Sequence, residues 1–233
     1  MKTVLITGAT RGIGRSVAIE FQRHNYHVIG LGSKPRPTPD YVDEYISCDF
    51  TDNTQIDVMC VQLSSMNVDV LVNNAGINHI NNFCSIPLSE FQAVQQINVI
   101  APFRLCQAVL PQMSKRRYGR IVNISSVWGK ISKTGRASYS ASKFAIDGIT
   151  VAAANEYAGQ GVLVNSVAPG FIDTEMTRKN LGTTGIAAVL ASVPINRLAA
   201  PTEIAKFVYW LGSEENTYVS GQNIAIDGGF TRA

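Results

Sequence analysis

What this chain lacks narrows its function before any motif is considered. No stretch approaches the ~18 consecutive apolar residues of a membrane span, so no membrane partner is expected. No run of five or six like charges occurs, and the net charge of +3 is spread along the chain, which argues against a nucleic-acid partner. The densest basic spot, Lys115, Arg116 and Arg117, reads as a solvated helix end, where cations suit the carbonyl pole of the helix dipole. There are four cysteines, Cys48, Cys60, Cys84 and Cys106, and no Cys-x-x-Cys, and none of the three histidines stands at ligand spacing. No metal site is therefore expected, and the cysteines read as free thiols of a reducing, cytoplasmic compartment. The opening MKTVLITGA carries a Lys before a short apolar run, but that run is too short for a secretory signal. Internal repeats and low-complexity linkers are missing as well.

What is present is regular alternation. TVLITG and HVIGLG are apolar runs of strand length, separated by GIGRSVAIEFQRHN, in which Ile13, Val17 and Phe21 recur on one helical face. Further strands are predicted at EYISCDF, VDVLVNNAG, GRIVNISS, GVLVNSVAPG and NIAIDGG, with helical stretches between most of them. This pattern predicts a single α/β domain over residues 1–233, a Rossmann-type, doubly wound parallel sheet covered on both faces. A hydrophobic share of 45% suffices for such a core. The interval KPRPTPDYVDE, Lys34 to Glu44, is an exception: three prolines in so short a crossover predict that the helix is absent or reduced to a turn.

The first chemical signal is TGATRGIG, Thr7 to Gly14, which follows a strand and opens a helix. In that setting Gly8 permits a tight turn, and Gly12 and Gly14 let backbone and helix approach a dinucleotide. Thr10, Arg11 and Ile13 belong to the same turn, and the helix N-terminus would face a pyrophosphate. The spacing departs from Gly-x-Gly-x-x-Gly, and a plain strand-to-helix turn would also produce it. At the end of the second strand an acid would hold the ribose of NAD, but this chain reads GLGSK. Gly32 takes the acid's place, and Ser33, Lys34 and Arg11, with Arg36 as a weaker candidate, suit a 2′-phosphate. NADP(H) is accordingly expected in preference to NAD(H).

TGATRGIG, NNAG at 73–76, Asn98, NISS at 123–126, YSASK at 139–143 and PGFIDTEM at 169–176 occur in the order and spacing of the classical short-chain dehydrogenases/reductases. Within that family the chain resembles the 3-oxoacyl-acyl-carrier-protein reductases, from Thr3 to the final DGGF. The resemblance implies an NADPH-dependent carbonyl reductase or alcohol dehydrogenase with Asn98, Ser126, Tyr139 and Lys143 as the catalytic set. Tyr139 would be the general acid in reduction and the base in reverse. Residues four apart share a helical face, so the Lys143 ammonium is expected to lower the phenol's pKa from its ordinary ~10. Ser126, rather than Ser125, would hydrogen-bond the carbonyl, and Asn98 would hold a relay water linked to Lys143.

By the same resemblance Asn74, Ala75 and Gly76 pass beside the adenosine ribose, and Asp49 and Phe50 receive the adenine. Asp49 alone reads equally well as a strand-end turn residue. Pro169 and Gly170 form a rigid turn over the nicotinamide, and Ile172 and Thr174 meet its carboxamide. Residues 177–197, with Gly182 and Gly185, are expected to form a lid.

Two departures bear on the substrate. INHINNF follows NNAG where the acyl-carrier reductases typically read ITRD, and Gln160 stands where they carry a base suited to an acidic carrier protein, although Arg117 keeps a second such position. A keto sugar or sugar-nucleotide intermediate is the alternative substrate, with His79, Asn81 and Asn82 offering polar contacts. A nucleotide-sugar epimerase shares Tyr-x-x-x-Lys, but the stretch beyond the Pro-Gly turn is short for its substrate domain. A non-catalytic NADP-binding regulator would be expected to lose part of the catalytic set. The family's habit further implies a homo-oligomer, tetramer or dimer.

Overall fold

The computed structural model describes all 233 residues. Seven strands form one parallel sheet: β1 (Thr3–Thr7), β2 (His27–Gly32), β3 (Glu44–Ser47), β4 (Val70–Asn73), β5 (Gly119–Ile124), β6 (Val162–Pro169) and β7 (Asn223–Ile226). Their spatial order is β3-β2-β1-β4-β5-β6-β7. The order reverses between β1 and β4, and in open α/β sheets a crevice opens at that switch point, beyond the strands' carboxyl ends.

Successive side chains of a strand point to opposite faces, and here both faces are dry. Leu5 of β1 packs with Leu31, Leu71, Ile121 and Val164 beneath α2 (Asn53–Ser65) and α4 (Ala101–Lys115). Val4 and Ile6 pack on the other face with Val17 and Phe21 of α1 (Gly12–Arg23), and with Ile204 and Val208 of the last long helix. This is why the strands read as continuous apolar runs in the sequence.

The β2–β3 connection contains no helix, as its prolines predict. Its work is done by Asp43, whose carboxylate accepts from the Val28 amide at 2.7 Å, and by buried Val42, which packs against Gly30. At the end of α4, Arg116 donates to the Val68 carbonyl at 2.6 Å, so the basic cluster closes a helix end.

Between β4 and α4, helix α3 (Leu88–Gln95) runs into a π turn, Gln96–Ile100, that contains Asn98. Helix α5 (Ala137–Tyr157) carries Tyr139 and Lys143 in its first turns, while α6 (Glu175–Leu190) and α7 (Pro201–Gly212) follow β6. The segment expected as a lid is largely α6, broken at Gly182, whose φ of 60° and ψ of −176° are non-helical. No helix is long and apolar enough to cross a membrane, and the four cysteines are unpaired.

Candidate active site

A cleft of about 450 Å³ opens at the carboxyl edge of the sheet. Its floor is the glycine turn. Gly8 (φ +66°) and Gly12 (φ +54°) lie in the left-handed region, which L side chains seldom adopt. Arg11 precedes α1 without a capping side chain, and the first turn holds no acid, so its amides are left to an anion from outside the helix. Gly14 is not on the cleft wall. It is buried, and a Cβ there would run into the Gly8 carbonyl and the Asn74 amide; its contribution is helix-to-turn packing.

Thr7, which the motifs leave without a role, ties the two sides of the switch point together. Its buried hydroxyl accepts from the Asn74 and Ala75 amides, each at 2.9 Å, and Asn74 Nδ2 donates to the Thr7 carbonyl at 2.9 Å. The only sequence signal for it is a Thr ending the first apolar run.

At the β2 end, Thr10, Arg11 and Ser33 line the cleft. A Cβ on Gly32 would strike the Tyr45 hydroxyl, so Tyr45 occupies the space an acid would need. Lys34, expected beside Ser33, is exposed and off the cleft wall; its carbonyl accepts from the Tyr45 hydroxyl at 2.9 Å. Arg11 pairs with Glu175 at 3.1 Å, both side chains being about three-quarters exposed. A pair so open to water holds neither partner firmly. Asp49 and Phe50 line the far end, with the Asp49 carboxylate turned to Thr51 in the manner of a turn residue.

The opposite wall joins β5, β6 and α5. Ser126, Tyr139 and Lys143 line it together, with Pro169, Gly170, Ile172 and Thr174 above them. Ser126 Oγ accepts from the Trp128 amide at 3.2 Å and keeps its own proton for the cleft. Ser125 Oγ donates to the Lys143 carbonyl at 3.3 Å, a bracing role. Lys143 Nζ donates to the Ile124 carbonyl at 2.7 Å and stands 5.4 Å from the Tyr139 ring centre.

The electrostatics differ from the expected pairing. Burial is the largest influence on Tyr139 and pushes its pKa up; the downward pulls come from Ser126 and Arg136, not from Lys143. Lys143 is itself pushed down to about 8 by burial. Shared desolvation therefore outweighs the mutual help expected from spacing alone.

Asn98 lies behind the wall, 1% exposed. Its carboxamide is largely engaged: Oδ1 accepts from the Ile77 amide at 2.9 Å, while Nδ2 donates to the Ile77 carbonyl at 2.9 Å and to Ser142 Oγ at 3.0 Å. The second lone pair of Oδ1 is the group this side chain leaves for the relay water implied by the resemblance. Asn98 also pins the chain after Gly76 to α5. The π turn aims it there, a common use of that irregularity.

Beneath the site runs a buried polar chain that no motif announces. Asn73 donates to Asn123, Asn123 to Thr150, each at 2.8 Å, and Thr150 meets Ser166 at 2.6 Å, tying β4, β5, α5 and β6. The network is complete except at Asn73 Oδ1, which is buried without a partner, and it fixes the wall rather than the chemistry.

Known proteins share this architecture. The family model described as short chain dehydrogenase matches residues 2–184. A 3-oxoacyl-(acyl-carrier-protein) reductase of Vibrio cholerae is 38% identical over 236 residues, 98% of this chain and 96% of that one. Its counterpart in Thermotoga maritima is 38% identical over 240 residues, 98% and 97% of the two chains. Among solved structures, one provisionally assigned as an NAD(P)-dependent gluconate 5-dehydrogenase of Beutenbergia cavernae, with bound NADP at low occupancy, superposes with a TM-score of 0.94 at 32% identity, covering 100% of this chain and 97% of that one. A 4-hydroxyisoleucine dehydrogenase complexed with NADH gives 0.92 at 30% identity, covering both chains fully at 100%. With a matching model over most of its length and near-complete alignment to such relatives, the chain belongs to the short-chain dehydrogenase family, oxidoreductases that work between CH–OH and C=O groups.

Proposed function

We propose that this protein is an NADP(H)-dependent carbonyl reductase, with Ser126, Tyr139 and Lys143 as its catalytic residues. The observation that supports it most is the common wall that Ser126 and Tyr139 share with braced Lys143. Bound NADPH supplies the hydride. Tyr139 donates the proton to the carbonyl oxygen, Ser126 hydrogen-bonds the same oxygen, and Lys143 holds the β5 end in register. Asn98 is a positioning residue. The glycine turn, Asn74, Ala75 and Gly76, Asp49 with Phe50, and the 169–174 turn would hold the dinucleotide, and the kinked 177–190 stretch with the turn to 197 would cover it as a lid.

NADP(H) is favoured by the β2 end, where Tyr45 blocks an acid and Ser33, Thr10 and loosely paired Arg11 face the cleft. Ser33→Asp is expected to lower kcat/KM for NADPH about tenfold or more through repulsion of the 2′-phosphate, with no comparable loss for NADH. Initial rates with both coenzymes check this; an unchanged ratio would move the phosphate site elsewhere.

Similarity to the Vibrio and Thermotoga enzymes supports a 3-oxoacyl thioester on a carrier protein as substrate. A second reading, a small oxygenated ketone such as a keto sugar, is favoured by Gln160, which binds Ser114 and offers no cation to a carrier. Loop residues His79 and Asn81 both turn to Glu90, so their polarity is partly used up. A homo-oligomer is supported by Phe103 and Phe144, 44% and 49% exposed on α4 and α5. NADPH oxidation with an acetoacetyl thioester, a diketone and several keto sugars tests the function. Turnover of any ketone upholds the reductase reading, and its distribution selects the substrate class.

A further inference from the structure

The loop from Lys130 to Arg136 reads KISKTGR, three cations without an acid. It leads from the Ser126 end of β5 into α5. Arg136, the residue before α5, is 5% exposed. The chain's other buried arginine, Arg120, is 7% exposed and spends its donors on four carbonyls, those of Ser213, Gly119, Gly161 and Asn216. Arg136 has no such partners. Its Nε is sealed from solvent without an acceptor. Burial pulls its pKa down, and the one group pulling it up is the Tyr139 phenol, not a carboxylate.

A buried cation without hydrogen bonds or counter-ion is costly, and native proteins rarely keep one idle. Here the cost is compounded. Arg136 Cζ stands 5.6 Å from the Trp128 ring centre, and Lys133 Nζ stands 5.2 Å from the same ring. Burial and Arg136 together push the Lys133 pKa down. Stacking on the indole returns only part of what buried Arg136 loses, and the exposed Lys133 beside it adds like charge. Trp128 is fixed in turn, edge-on to Phe171 beside the Pro169–Gly170 turn at 6.2 Å and to Phe230 at 5.9 Å.

Position ties this charge to the chemistry. Arg136 stands at the start of α5, three residues before Tyr139, and its charge reaches the phenol. A group bound to Arg136 would stand beside a carbonyl bonded to Tyr139.

We propose that Arg136, backed by Lys133 across Trp128, binds a carboxylate of the substrate, so that the enzyme reduces a small oxo acid, sugar acids included. The terminal N–H groups of Arg136, which no hydrogen bond of the chain uses, form the end of the guanidinium fork that carboxylates engage with two parallel bonds. This rests on the carbonyl-reductase reading and refines its second substrate class; a thioester is neutral at that place.

Acetoacetate and its methyl ester present one ketone and differ by one charge. The wild-type enzyme with NADPH is expected to favour the acid about ten- to a hundredfold in kcat/KM, the range of a charged hydrogen bond. In Arg136→Gln that preference should collapse toward one, mainly through KM, and Arg136→Lys should restore part of it. A binding measurement needs no turnover. In a Trp210→Phe background, where Trp128 is the remaining indole, malonate added to the NADP⁺ complex should change the fluorescence saturably, and Arg136→Gln should remove the response. Equal use of acid and ester, a preference that survives Arg136→Gln, or a response to inorganic phosphate but not to malonate would overturn the carboxylate site. Failure of the underlying reading looks different: neither ketone would consume NADPH, while malonate still bound in an Arg136-dependent way.

Discussion

Tyr139→Phe is expected to lower the rate of carbonyl reduction by about a hundred- to ten-thousandfold while leaving NADPH binding nearly unchanged. The substitution removes one hydroxyl from a ring that keeps its packing, so the loss reports proton donation alone. Burial raises the Tyr139 pKa, which keeps the phenol protonated at neutral pH and suits it to act as an acid. Reduction needs the protonated phenol and should fade as pH rises through its pKa; alcohol oxidation needs the phenolate and should climb over the same range. Because Arg136 is one of the two groups pulling that pKa down, its removal should move both limbs to higher pH. Single-turnover rates with bound NADPH, and coenzyme affinity from nicotinamide fluorescence, check the first claim. A Tyr139→Phe enzyme that kept a tenth of its rate would mean that another group supplies the proton.

The sheet can be read from the sequence because parallel strands buried on both faces leave continuous apolar runs, and because the prolines at 35, 37 and 39 forbid a crossover helix. The glycine turn is legible for a related reason: positive φ and close backbone approach leave few residue choices. What escapes is whatever depends on contact between elements distant in sequence. Nothing in the letters says that Tyr45 fills the space beside Gly32, that Thr7 clamps β4, or that the Asn98 carboxamide brackets Ile77. Lys34 looks suitable by adjacency, yet the strand end turns it outward. The Tyr139–Lys143 spacing is a correct guide to geometry and a wrong one to electrostatics, because burial, which decides the pKa of both, is a property of the packed wall.

Lys143→Met should remove most of the turnover and at the same time make the protein more stable in the absence of coenzyme. Lys143 is 4% exposed, its Nζ has one carbonyl partner and no carboxylate, and burial lowers its pKa from 10.5 to about 8. Below pH 8 it is charged in both folded and unfolded chains, and the folded state bears the full desolvation cost. Between about 8 and 10.5 the unfolded chain binds the proton more readily, so wild-type stability rises with pH across that window. Above it the ammonium is neutral in both states and the cost is gone. The advantage of the Met variant, about 1–4 kcal/mol by analogy with other buried charges replaced by apolar groups, should thus be largest below pH 8 and shrink toward pH 10.5. Denaturant titrations of both proteins at several pH values measure it. A coenzyme carrying phosphates would favour the charged lysine, so saturating NADPH should stabilise the wild type more than the variant and narrow the gap at neutral pH. If the Met variant is no more stable than the wild type at pH 7, the bond to the Ile124 carbonyl must offset the burial of Lys143 on its own. A buried ammonium that weakens the empty protein and is compensated when an anionic coenzyme binds is what selection for catalysis, rather than for stability, would retain at this position.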